Sequence, residues 1–134
     1  MRNPSPSPTP YGYASTSDVT WSRAEKAVAR RAYDAALERE LREVMKDARQ
    51  RANRIRQPSD VWGLEHYLTQ RRKEIDRKYQ FRASHLTQVL GELLHEKRIS
   101  ERELRGLHED KLNSVRSFAK LLTRGLTRVL SPMA

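Results

Sequence analysis

The sequence predicts an all-α protein: long amphipathic helices that pair as an antiparallel homodimer, with a small helical C-terminal head. Three observations lead there. Apolar residues recur at intervals of three and four from about residue 20 onward, and no stretch alternates as a strand would. Two S-x-x-E sequences, Ser22–Glu25 and Ser100–Glu103, stand ahead of such stretches as capping boxes that satisfy the first backbone N–H groups of a helix. The first helical run is also too long for the rest of the chain to cover.

Residues 1–19 read as a disordered tail. Pro4, Ser5, Pro6, Ser7, Pro8, Thr9 and Pro10 leave almost nothing apolar there except Tyr11, Tyr13 and Ala14, too little to offset the entropy of ordering. The tail lacks the apolar centre of a signal peptide. No later run reaches the length of a membrane span, so a cytoplasmic protein with no membrane partner is expected. Residues 20–134 read as one domain, with dimerisation helices over 20–82 and a head and C-terminal extension over 84–130.

Helix one starts at Ser22. Ala24, Val28, Ala32, Ala35, Leu41, Val44, Met45, Ala48, Ala52 and Ile55 mark its apolar stripe, uninterrupted by Gly or Pro until Pro58. Pro58 disfavours helix at Gln57 and ends the run, and Ser59 is the expected cap of the next helix. Helix two runs from about Asp60 to Phe81, with Val61, Leu64, Leu68, Ile75 and Tyr79 on one face. Leu86, Val89, Leu90, Leu93 and Leu94 form a third apolar segment, which either continues helix two or breaks from it near Ser84. Arg98 and Ile99 fall in a short connection. The Ser100–Glu103 box opens helix four, which carries Leu104, Leu107, Val115, Phe118, Leu122, Leu126 and Val129, with Gly106 and Gly125 as weak points and Pro132 beyond its end.

Helix one is roughly 50 Å long at the usual rise, whereas a compact domain of about 100 residues has a radius of gyration near 13 Å. Its stripe therefore needs a partner, and a second copy in two-fold pairing is the simplest. Met45, Ala48, Val61, Leu64 and Leu68 are the expected dimer interface.

The net charge is +10, which raises a nucleic-acid reading. The cations are interleaved with acids, however, and Glu38–Arg42, Asp47–Arg51 and Glu74–Lys78 stand four apart with the acid first, as on a solvated helix surface. No cysteine is present, which excludes disulfides, thiolate zinc sites and cysteine nucleophiles. His66, His85, His95 and His108 match no metal-ligand spacing, and there is no phosphate loop or nucleophile elbow. The expectation is a protein without cofactor or metal that is not an enzyme.

Trp62 stands out. At 100° per residue, Trp62, Glu65, His66, Thr69, Arg72 and Asp76 share an arc of roughly 120° beside the core stripe of helix two. Trp and Arg are enriched at interface hot spots. An aromatic there either binds a partner or closes the edge of the dimer core, and the pattern alone supports both.

Residues 60–82 read D-V-W-G-L-E-H-Y-L-T-Q-R-R-K-E-I-D-R-K-Y-Q-F-R. This resembles the fluorescence recovery proteins of cyanobacterial photoprotection, at Asp60, Trp62, Leu64, Tyr67, Leu68, Arg72, Glu74, Ile75, Asp76, Lys78, Tyr79 and Arg82. Trp21–Glu25, Glu38–Leu41, Leu93–Leu94, Glu103–Leu104 and Leu107–Lys111 extend the likeness over about Trp21–Leu121. The resemblance implies an all-helical homodimer, in some members a tetramer, that binds the orange carotenoid protein mainly through that partner's C-terminal domain. It also implies faster return of the partner's red form to the orange form, release from the phycobilisome and an end to quenching, with no cofactor.

The family's polar patch holds Trp, His, Asp and Arg. Trp62 and Arg72 match it, while Glu65 stands at the His position and His66 at the Asp position. Gln88 falls at a head position that is usually large and apolar. Trp62, Glu65, His66, Arg72 and Gln88 are thus the expected partner-binding residues. Two alternatives accompany this reading: the same scaffold with a different protein partner, and a basic helical nucleic-acid binder that uses Arg71, Arg72 and Lys73.

Overall fold

The computed structural model describes residues 21–130, with side chains to residue 125; the expected tail over 1–19 and Pro132 lie outside the described residues. Four helices follow in order: α1 (Arg23–Asn53), α2 (Pro58–Lys78), α3 (Leu86–His95) and α4 (Glu109–Leu130). Single 3₁₀ turns at Ala83–His85 and Glu101–Leu104 join them. No strand occurs among the described residues; one isolated bridge joins Arg105 and Leu107.

Helix α1 begins where the sequence places it. Ser22 Oγ accepts from the Glu25 N–H and the Glu25 carboxylate accepts from the Ser22 N–H, both at 3.1 Å. The first half of α1 is built into the head. Ala29, Ala32, Tyr33 and Ala36 pack in one core with Leu86, Leu90, Leu93, Ile99, Leu104 and Val115. Their small side chains let α3 come close, and Tyr33 fills the remaining space with its ring edge-on to Tyr79 and Phe81, at 5.9 and 5.2 Å.

Several expected elements shift. Val28 and Ala32 of the expected stripe are buried, but the buried side of α1 is completed by Ala29, Tyr33, Ala36 and Glu40, about 100° round the helix from the larger Leu41, Val44 and Met45, and Ala24 faces water. Helix α1 ends at Asn53, before Pro58, and Pro58 instead opens α2 at a position where its missing N–H costs nothing. The cap of α2 is Gln57 rather than Ser59, and the Asp60 carboxylate accepts from the N–H groups of Arg56 and Gln57 at 2.8 and 3.2 Å. Helix α2 stops at Lys78, so the third apolar segment is a separate helix.

The Ser100–Glu103 box forms, with the Ser100 N–H 2.9 Å from Glu103 Oε1, but it caps only one 3₁₀ turn. Gly106 follows at φ +113°, a conformation that suits glycine and cannot propagate a helix, so the long helix begins at Glu109. Lys97 takes φ 63° after α3, and the Arg98 and Lys97 N–H groups close back on the Leu93 and Leu94 carbonyls at 2.9 and 3.1 Å. That Schellman closure turns the chain back toward α1.

Candidate functional site

Helices α1 and α2 form an antiparallel hairpin held by polar contacts at successive levels. Near the tip, Tyr67 donates to Asp47 at 2.9 Å, and the Arg51 guanidinium lies 4.1 Å above the Tyr67 ring. Near the base, the fully buried Glu40 carboxylate accepts from Arg71 at 3.0 Å, Lys78 at 3.0 Å and Tyr79 at 2.8 Å, with Arg98 at 3.4 Å. Lys78 also pairs with Glu96 at 2.9 Å, and Arg98 with Glu43 at 2.6 Å. Burial opposes charge on Glu40, but the Lys78 and Tyr79 hydrogen bonds with the Lys78 and Arg98 charges outweigh it and hold the carboxyl below its ordinary value. The Tyr79 hydroxyl is pushed well up, first by burial and then by the Glu40 charge.

A second buried carboxylate locks the head to the start of α1. Glu25 accepts from the His108 N–H and from Lys111 Nζ, each at 2.9 Å, and Lys111 sits 5.4 Å over the Trp21 ring. Burial alone would raise this carboxyl; the His108 N–H, Lys111 and the Ser22 N–H together bring it down to about 2.

With these networks turned inward, the opposite surfaces of the hairpin are left outward. Beyond Glu40, α1 runs along α2, and Glu43 reaches Arg98 of the head. Leu41, Met45, Val61 and Leu68 are exposed there, while Ala48 and Leu64 are half-buried. In an antiparallel hairpin, helix geometry places Leu41 and Met45 of α1 and Val61 and Leu68 of α2 on one side. All five expected interface residues, Met45, Ala48, Val61, Leu64 and Leu68, belong to this side or to the seam beneath it.

Trp62 occupies the outer edge of α2 next to that side and is 68% exposed. Glu65, His66 and Arg72 are exposed on the same edge. Glu65 accepts from the Thr69 hydroxyl at 3.1 Å, and Arg72 reaches Asp76 at 3.9 Å. Trp62, Glu65, His66 and Arg72 therefore stand together. Gln88 does not join them. It lies on α3 beside Arg77, His85 and Phe118, lining a cavity of about 400 Å³. Arg77 is some 20 Å along α2 from Trp62 at 1.5 Å per residue, so the expected site divides between hairpin edge and head.

The sequence reading missed Glu40, Lys78 and Arg98 as a buried hub. Arg71 belongs to that hub with 17% of its side chain exposed, paired to Glu40 and Glu74. This takes one of three residues from the basic run offered for nucleic acid. No three His, Asp or Glu side chains among the described residues are placed to hold a metal ion.

Comparison with known proteins decides the family. The family model described as photoprotection regulator fluorescence recovery protein matches residues 21–119. The chain belongs to the fluorescence recovery protein family. The fluorescence recovery protein of a Synechocystis strain is 34% identical over 106 residues, which span 79% of this chain and 97% of that protein. Its solved structure superposes with a TM-score of 0.71, covering 75% of this chain and 98% of that one. The fluorescence recovery protein structure of Fremyella diplosiphon is 36% identical, with a TM-score of 0.71 and coverage of 75% and 99%. The fold class is thus the all-helical fold of fluorescence recovery proteins, a family of photoprotection regulators. None of the described helices is long and apolar enough to cross a membrane.

Proposed function

We propose that this protein is a non-catalytic regulator that binds the orange carotenoid protein, through its C-terminal domain, and speeds return of the red form to the orange form. The support is membership of the photoprotection-regulator family together with the exposed Trp62–Arg72 edge. A large aromatic and a guanidinium held outward by a rigid hairpin supply contact area at little entropic cost. A partner that binds one conformer better than another shifts the population toward it, and that requires no catalytic group.

The protein works as a homodimer in this reading, or as a tetramer built from it. The exposed Leu41, Met45, Val61 and Leu68 side of one hairpin meets its two-fold copy in antiparallel fashion, which removes an apolar surface that a monomer would leave in water. The Trp62 edges then flank the seam, and Gln88 contacts the partner from the head.

Glu65 and His66 favour a second reading, in which the same scaffold serves a different protein partner. They reverse the charge order of the patch, and Glu65 is engaged with Thr69. One experiment separates the two: mixing the protein with photoactivated orange carotenoid protein and following reversion by absorbance. Faster reversion with co-elution supports the first reading. Unchanged reversion with no co-elution rejects it and leaves the second.

A further inference from the structure

Arg31, Arg102 and Arg105 line one cavity of about 430 Å³ where the 3₁₀ turn Glu101–Leu104 meets α1, with Ala32 and Glu103 completing its wall. The turn brings two of the three together. The Arg105 N–H closes on the Arg102 carbonyl at 3.2 Å, and residues three apart on a 3₁₀ turn eclipse one another. Leu104 between them is buried in the same core as Ala32, which fixes the turn on α1. Arg31 immediately precedes Ala32 on that helix.

No acid answers these three charges. Glu103 has both oxygens taken: Arg39 donates to Oε1 at 2.9 Å and to Oε2 at 2.7 Å, and the Ser100 N–H donates to Oε1 at 2.9 Å. Glu101 is held by Arg116 at 2.8 Å. Asp34 and Glu38 of α1 fall on the other side of Arg31 from Ala32, and Glu38 is paired with Arg42 at 2.8 Å. Arg31, Arg102 and Arg105 are exposed and make no ion pair among the described residues. Arg39, Arg71, Arg98 and Arg116, by contrast, each meet a carboxylate at 3.0 Å or closer. Three unneutralised guanidiniums around one concavity repel one another, and a cleft lined by one sign of charge concentrates its field on a counter-ion.

We propose that this cavity is a binding site for a diphosphate group. Guanidinium forks match phosphate oxygens in pairs. A single phosphate carries about 1.5 to 2 negative charges at pH 7, short of the three positive ones; two joined phosphates supply the rest. The wall holds no aromatic or amide side chain that could read a base or a sugar, so the diphosphate itself is what is recognised, free or carried by a nucleotide. A nucleic-acid backbone spaces single charges along a strand and does not gather three in one cavity. The site is independent of the carotenoid-protein reading: a chain that binds diphosphate without accelerating reversion contradicts only the latter.

The test is isothermal titration calorimetry of the full chain, free of divalent cations, with sodium pyrophosphate, orthophosphate, sulfate and adenosine diphosphate. Pyrophosphate is expected to bind more tightly than orthophosphate or sulfate by about tenfold, the worth of one further charge-assisted contact, and less tightly as salt rises. Adenosine diphosphate above pyrophosphate would place the group on a nucleotide, and the reverse order would leave it the free ion; either supports the site. Arg102→Gln with Arg105→Gln should lower the affinity by about 100-fold, two such contacts. Lys46→Gln with Arg49→Gln, the same charge change on exposed α1 positions, should lower it far less. Pyrophosphate should also raise the thermal midpoint of the native chain but not that of the Arg102, Arg105 variant, and circular dichroism checks that each variant stays helical. No pyrophosphate binding, equal affinity for pyrophosphate and sulfate, equal losses in the two charge variants, or binding to an oligonucleotide but not to pyrophosphate would each overturn the proposal.

Discussion

Lys78 Nζ lies 3.0 Å from Glu40 Oε1, with both side chains inside the protein. The two come from the stretches that carry the family resemblance, E-R-E-L on α1 and K-Y at the end of α2. Much of that resemblance therefore records how the hairpin is fastened to the head. Trp62 and Arg72, the residues proposed to face a partner, are a smaller share of it.

Removing the two members of this pair should have unequal effects. Glu40→Ala leaves Lys78 with Glu96 alone, deprives the Tyr79 hydroxyl of its acceptor, and is expected to cost about 3–5 kcal/mol in denaturant unfolding. Lys78→Met leaves Glu40 bonded to Arg71 and Tyr79 and should cost less, under about 3 kcal/mol. Equal costs would mean that the hub is a simple pair.

Glu25 gives a pH dependence with a definite sign. Its folded value, about 2, lies below the ordinary 4.5. The unfolded chain therefore binds a proton first as pH falls. The stability from this group is complete above about pH 4.5 and is lost as pH drops toward 2, by at most about 3 kcal/mol. Chemical denaturation along that pH series should show a steeper loss for the native chain than for Glu25→Gln. Identical slopes would rule out the Glu25 network as the cause.

Gly91 is where α3 and α4 touch. A Cβ there would meet Phe118 Cβ and Cδ2 at 2.9 Å and the Val115 carbonyl oxygen at 3.1 Å. The backbone oxygen cannot swing aside as a side chain can. Gly91→Ala is expected to lower stability by about 1–3 kcal/mol despite its better helix propensity, as measured by thermal unfolding. A stabilised variant would show that the two helices have slack between them.

The exposed side of the hairpin should be a dimer seam. Met45→Glu with Leu68→Glu places charge at two positions of that side without touching the head core. Sedimentation is expected to show a dimer for the native chain and a folded monomer for this variant. A native chain that is monomeric at micromolar concentration would remove the seam.

The sequence made some of this structure legible, and the reason it hid the rest is physical. The Ser22–Glu25 box, the break at Pro58 and the apolar spacing of Leu86, Leu90 and Leu93 each leave a local signature that a helix cannot avoid. Glu40, Lys78 and Lys111 leave none, because a charged residue on a helix reads as solvated until its partner on another element is known. Ala29, Ala36 and Tyr33 are overshadowed in the sequence by the larger Leu41, Val44 and Met45, of which Leu41 and Met45 are left outward and Val44 is only half-buried. Gly106 looked like a weak point inside a helix; its positive φ makes it the boundary of one. The Trp62 edge was legible as a group because one helix carries it, while the separation of Gln88 depended on where α3 docks.

The central claim is that the Trp62 edge binds a partner and does not close the dimer. Trp62→Ala tests it when both properties are measured on one preparation: affinity for photoactivated orange carotenoid protein and oligomeric state by sedimentation. The expected result is a dimer whose partner affinity falls by about 2 kcal/mol or more, some thirtyfold. A variant that sediments as a monomer, or a dimer with undiminished affinity, would contradict it.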